Sequence, residues 1–320
     1  MDTLDLVRLN LLSPMVLGFV LGVVAALVKS DLKLPEALHA GLSTYLLLAI
    51  GLKGGAELAK VPLAEVLTPL IVTLLVGLLS PIWCYGVLRG MGKLSVADAA
   101  AMAAHYGSVS VVTFTACGTF LDAAGVAYEG FMSALVAFLE VPAIVVAIYI
   151  ARRATSGGGR PRESLREVVL GKSNLLLLGG VVIGVLSGPA VEQVAPFFID
   201  PFRGALMLFL VDMGVLAARR LGDLQARGVF LTVFALGMPL VNGTIGAWAG
   251  ELAGLSLGGT TVFATMVASA SYIAAPVAVR IALPEANPAL YLTSSLALTF
   301  PFNLTVGIPI YHAISRWLHS

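Results

Sequence analysis

Apolar residues fall into ten long runs, at 10–28, 37–52, 64–88, 95–118, 127–151, 173–195, 202–218, 228–252, 259–282 and 289–317. A helix needs about 20 such residues to cross a hydrocarbon core. The pattern therefore predicts an all-α membrane protein with ten transmembrane helices, the second and seventh short. One stretch breaks it as a linker: 152–172, RRATSGGGRPRESLREVVLGK, which combines a run of three glycines, a proline and many charges. The chain divides into 1–151, the linker 152–172, and 173–320. The opening segment MDTLDLVRLN lacks the basic start of a secretory signal, so the first run is expected to be retained.

Two runs carry polar interruptions. The fourth contains Gly107, Ser108, Val109 and Ser110; the ninth contains Ser269, Ala270, Ser271 and Tyr272. The two serine pairs lie 161 residues apart, about half the chain. The same offset carries Gly18 onto Gly179 and aligns runs one to five with runs six to ten without a gap. Residue identity across the halves is weak, so the correspondence rests on hydropathy and on the special residues. A unit of five crossings has an odd count, so its second copy runs the opposite way through the membrane. That inverted repeat is a signature of secondary transporters, which hold substrate near the midplane between broken helices.

The serine stretches are then expected to be the two breaks. A break frees backbone N–H groups, and each half-helix N-terminus acts as about half a positive charge. Two facing ends suit a monovalent anion with no arginine in the site. Close helix packing through small residues is the bland alternative for either stretch taken singly.

Composition sharpens the class. The chain is 58% hydrophobic and 12% charged, with mean hydropathy +0.97. A net charge of +1 and no basic patch argue against nucleic-acid binding. Placing the linker in the cytoplasm puts fourteen of the 19 Lys and Arg residues on that side, which predicts both termini outside. Cys84 and Cys117 lie in apolar runs, so no disulfide framework is expected. No nucleotide-binding motif or catalytic triad pattern appears, so neither an ATP-driven pump nor an enzyme is indicated.

Acidic residues inside a span are costly and mark function. Glu140 lies mid-run in ALVAFLEVPAIVV, two residues before Pro142, and the region aligned with it holds Pro301 and Asn303. A carboxylate, proline-freed carbonyls and hydroxyls are hard oxygen ligands. Glu140, Ser108, Ser110, Ser271 and Asn303 are therefore the expected sodium ligands, with a proton on Glu140 as the rival. Asp212 is also mid-run and is expected to pair with Lys53. His105 has no neighbour at metal-ligand spacing and reads as a hydrogen-bonded structural histidine. Glu251, near a run end, reads as solvated.

The segments SASYIAAPVAVRIALPEANPALYL (269–292), SLALTFPFNLTVGIPIY (295–311) and LEVPAIV (139–145) resemble the sodium-dependent bicarbonate symporter family first known from cyanobacteria. The resemblance extends over the whole chain and is strongest in the last 60 residues. It implies ten spans in two inverted halves, a homotrimer, and sodium-coupled bicarbonate import across the plasma membrane. It further implies a core that moves against a scaffold, and a cytosolic PII-like regulator as partner. The carry-over falls on Ser108, Ser110, Ser269, Ser271, Glu140 and Asn303. Residue 140 departs from the family pattern, being Glu where the family has Asp.

Other readings remain open. One is a sodium- or proton-coupled symporter of another small anion or an organic anion, such as the bile-acid group. Another is a cation/proton antiporter using Glu140 or Asp212. The third is a membrane enzyme or receptor.

Overall fold

The computed structural model describes residues 3–154, 170–221 and 228–320, and among them it contains helices and no strand. In chain order the main helices are α1 Thr3–Leu11, α2 Pro14–Leu27, α3 Glu36–Leu58, α4 Leu63–Gly90, α5 Val96–Gly107, α6 Val111–Ala124 and α7 Met132–Ala154. They continue as α8 Lys172–Ser187, α9 Phe202–Leu221, α10 Gly228–Leu252, α11 Leu257–Ala268, α12 Ala274–Ala282 and the interrupted α13 Pro288–Leu318. Most of the expected linker, 155–169, lies outside the described residues; Arg152 and Arg153 end α7 and Lys172 opens α8.

Seven helical stretches are long and apolar enough to cross a membrane, or eight if α1 and α2, bent by 53°, form one span. Every apolar run of the sequence meets a helix, but two fall short as spans even when α1 and α2 are taken as one. α9 carries Arg203, Asp212, Arg219 and Arg220 within its 20 residues, and α11 has only 12 residues before the chain leaves the helix. Val96–Ala124 counts among the seven although it contains the α5–α6 break.

The helix ends follow local chemistry. Ser13 caps α2 by accepting from the Val16 N–H at 3.3 Å, with Pro14 in the first turn, where its missing N–H costs nothing. Ser95 and Ser256 cap α5 and α11 in the same way, from Asp98 N and Gly259 N. These caps place α5 and α11, 12 residues each, in registers 161 apart.

Packing crosses between the halves. α2 lies on α9 and α3 lies on α8. The α3–α8 contact is backbone on backbone: a Cβ at Gly180 would stand 2.9 Å from the Leu48 carbonyl oxygen, and one at Gly184 would stand 2.8 Å from Ala56 N. Glycines at Gly51 and Gly55 make the reciprocal approach, and Gly22 and Gly214 do the same between α2 and α9. Small residues allow this closeness where no side chain separates the helices.

α5 packs between α4 and α7, and α11 between α10 and α13. α5 is buried on all sides, with Ala99 to Ala104 fully enclosed. α2, α4, α8 and α10 instead expose leucine, isoleucine and valine along one face, as at Leu21, Ile71, Val182 and Val233. A helix that is apolar all round belongs in a bilayer or a large core. The shielded helices and the apolar rim therefore place α5, α6 and α11 at the centre, with α12 buried at its start and exposed at Val277 and Ile281.

Candidate functional site

α5 ends at Gly107 and α6 starts at Val111; between them Ser108 and Ser110 are extended. α11 ends at Ala268, Ser269 is extended, and α12 starts at Ala274. The two interruptions touch. The Ser110 N–H donates to Ser269 Oγ at 2.8 Å, and the Ser271 N–H donates to the His105 carbonyl at 2.9 Å. The sequence-predicted breaks are thus real and lie against each other.

Each break leaves carbonyls without helical partners, and neighbouring helices supply donors. Asn242 of α10 donates to the Tyr106 carbonyl at 3.2 Å, and Ser80 of α4 donates to the Gly107 carbonyl at 3.1 Å. On the other arm Asn303 donates to the Ala268 carbonyl at 3.0 Å. Pro81 presses on Gly107 so closely that a Cβ there would stand 2.8 Å from Pro81 Cδ. Glycine is required at that point by contact, not by backbone angle.

The N-termini of the outgoing halves are capped by serines from the breaks themselves. Ser110 Oγ accepts from Thr113 N at 3.1 Å, and Ser271 Oγ accepts from Ala275 N at 3.2 Å. Ser269 Oγ is committed on both sides, since it donates to the Met266 carbonyl at 2.7 Å as well as accepting from Ser110.

Glu140 reaches this crossing from α7. It is 2% exposed, and Ser271 Oγ donates to its Oε1 at 3.3 Å. Its own carbonyl accepts from Ser108 Oγ at 3.4 Å. Its second carboxylate oxygen is buried with no hydrogen-bond partner among the described residues. A carboxylate in such surroundings is costly unless a cation or a proton compensates it. No group of three His, Cys, Asp or Glu side chains gathers anywhere among the described residues. A cation here would therefore rely on one carboxylate together with hydroxyl and carbonyl oxygens.

Asn303 approaches from the opposite arm. Its Oδ1 accepts from Tyr311 Oη at 2.7 Å while its amide holds the Ala268 carbonyl, so both ends of the side chain have structural partners. Tyr272 packs its ring edge-on to Phe300, centroids 5.1 Å apart. Val109 and Ala270 are buried within the breaks.

Two other expectations are decided by contacts. His105 is fully buried; its Nδ1 lies 2.7 Å from the Ala101 carbonyl, its ring stacks on Tyr291 at 4.4 Å, and its Nε2 has no hydrogen-bond partner among the described residues. Asp212 does not pair with Lys53. Its Oδ2 lies 2.6 Å from His39 Nδ1, because α9 turns that face toward the first turn of α3, while Lys53 is four turns further along. Lys53 is exposed and Glu251 is half-buried.

Sequence reading missed Asn242, Ser80 and Asn10. Asn242 is a lone amide in the apolar run MPLVNGTIG, a detectable signal. Asn10 donates to the Leu304 and Thr305 carbonyls at 2.7 and 2.9 Å, within a widened π-type turn at Asn303–Gly307. Such turns cluster at functional sites, and nothing in the local sequence of Asn10 announces that role.

Discontinuous helices that meet inside an apolar bundle are typical of secondary transporters, and the family match agrees. The Na+-dependent bicarbonate transporter superfamily matches residues 14–316. The chain belongs to this superfamily. No individually curated protein matches it. Within the superfamily the protein is a multi-pass membrane transporter, not an enzyme, and sodium is the coupling ion that the family name specifies. The match covers both broken helices, Glu140 and Asn303.

Proposed function

We propose that this transporter imports bicarbonate together with sodium, by alternating access, with the anion held between the half-helix ends at the crossing. The observation that carries the reading is the contact of the two breaks with Glu140 beside them: Ser110 to Ser269, Ser271 to His105, and Ser271 to the carboxylate. The N-termini of α6 and α12 provide partial positive charge for an anion. Gly107, Ser108, Val109 and Ser110 form one side of the anion site and Ser269, Ala270, Ser271 and Tyr272 the other. Glu140, with Ser108, Ser110, Ser271 and Asn303, provides oxygen for sodium. The unpartnered Glu140 oxygen supports a cation there.

The reading includes ten crossings in two inverted five-helix units, with matching breaks 161 residues apart in support. It also includes a plasma-membrane homotrimer with both termini outside and a PII-like regulator on the cytoplasmic face. One Na+ with one HCO3− moves no net charge, so a tenfold sodium gradient supplies about 1.4 kcal/mol, a tenfold accumulation at most.

The same unpartnered oxygen favours one second reading, a proton in place of sodium. Uptake of 14C-bicarbonate into proteoliposomes separates the two. Accumulation driven by an inward sodium gradient, and absent with potassium, is the expected result. Accumulation driven by a pH gradient without sodium overturns sodium coupling, and no accumulation under either gradient overturns bicarbonate import.

A further inference from the structure

A cavity of about 620 Å3 opens between α3, α6 and the start of α9. Phe114, at the end of the first turn of α6, and Thr115, just after it, line it. Ser110 caps that turn, so Phe114 lies four residues, about 6 Å along the helix, from the crossing. Five charged residues line the cavity: Lys53, Glu57, Asp122, Asp200 and Arg203.

Ion pairs cancel most of that charge. Glu57 Oε1 is 2.7 Å from Lys60 Nζ, and Arg203 pairs with Asp122. Lys53 is exposed and makes no ion pair with any described residue, as is also true of Asp200, which lies in the turn before α9. Lys53 belongs to the apolar helix α3, where an ammonium is costly without an aqueous cavity or a counter-charge. The cavity gives it water. Beside it, the Thr115 and Thr119 hydroxyls donate to the Val111 and Thr115 carbonyls at 2.9 and 3.2 Å. Their hydrogens are thereby committed and their remaining lone pairs accept.

We propose that this cavity is a loading site for the transported small oxyanion, with Lys53 as the group that attracts it before it reaches the crossing. The inference rests on the reading that the crossing carries a small anion. The ammonium complements the negative charge, and a threonine oxygen accepts the hydroxyl hydrogen that bicarbonate carries. Lys53 acts on capture, not on the translocating helices, so its charge sets the apparent affinity and leaves the maximal rate in place.

The test uses K53C, modified after purification with methanethiosulfonate reagents that add either an aminoethyl or a sulfonatoethyl group. Cys84 and Cys117 are fully buried, so the reagents act at the introduced thiol; unsubstituted protein treated identically is the control. Initial rates of sodium-driven 14C-bicarbonate uptake are measured in proteoliposomes across substrate concentration. A unit charge at about 6 Å in a partly hydrated cavity predicts a KM about tenfold higher in K53C. The cationic adduct returns KM to within about twofold of the parent, and the anionic adduct raises it further. A KM unchanged in K53C, or restored equally by both adducts, overturns the loading site. Absence of sodium-driven uptake in the parent protein overturns the transport reading and this site with it. Parental uptake with a charge-blind KM overturns the loading site alone.

Discussion

Replacement of Glu140 by Gln tests the chemistry of the crossing with the least structural damage. Gln has nearly the same shape, and its amide oxygen still accepts from Ser271 Oγ, 3.3 Å from the carboxylate in the parent. What disappears is a full negative charge on a side chain that is 2% exposed. A unit cation about 4 Å from that charge, at an effective dielectric near 20, gains about 4 kcal/mol. The amide oxygen returns part of this as an ion–dipole contact. The expected net loss is about 2–3 kcal/mol, or roughly 30- to 160-fold in sodium affinity. The assay is the sodium concentration that gives half-maximal bicarbonate uptake, read together with thermal stability in sodium and in potassium. A ligand that binds the folded state alone stabilises it by RT ln(1 + [L]/Kd). E140Q is expected to lose most of the sodium-dependent stabilisation at millimolar salt while keeping its stability in potassium. An unchanged half-saturation for sodium in a folded, transporting E140Q would refute Glu140 as a cation ligand.

Three further outcomes follow from the contacts. S269A removes the acceptor for the buried Ser110 N–H, at an expected cost of about 1–3 kcal/mol in stability, measurable as a lower unfolding midpoint. G184L drives a side chain into the α3 backbone and is expected to lose folded protein on size-exclusion chromatography, whereas Gly204→Leu, which has open space around it, keeps the parental profile. E129A removes the carboxylate that accepts from Ser256 N and Oγ at 2.7 and 3.1 Å, just before α11. Its expected cost is about 1 kcal/mol, which melting in high salt reduces further.

Much of the site was legible because its elements are local. Glycine and serine in an apolar run weaken a helix wherever they occur, and the same weakness at the same offset in both halves marked Ser108 to Ser110 and Ser269 to Ser271. Glu140 stood out because a carboxylate in an apolar run needs a reason. The expected partner of Asp212 failed for a geometric cause. Nearness along the repeat alignment suggested Lys53, but pairing depends on the rotation and height of α9 against α3, and these bring His39 to it instead. Asn242 and Ser80 were missed because their role is to satisfy carbonyls on another helix, which no neighbouring residue encodes.

The sequence by itself determined the class, the helical runs, the two break points and the mid-run carboxylate Glu140. Each of these follows from the cost of placing a polar group, or an unsatisfied backbone, in an apolar setting, and that cost is read residue by residue. Only the tertiary structure decided that the breaks touch, which carbonyls their neighbours cap, that Glu140 meets Ser271, and that Lys53 faces a cavity rather than Asp212. Those are relations between helices. They are set by glycine-to-glycine contacts such as Gly51 with Gly180, where the backbones fix distance and register to within a fraction of a turn.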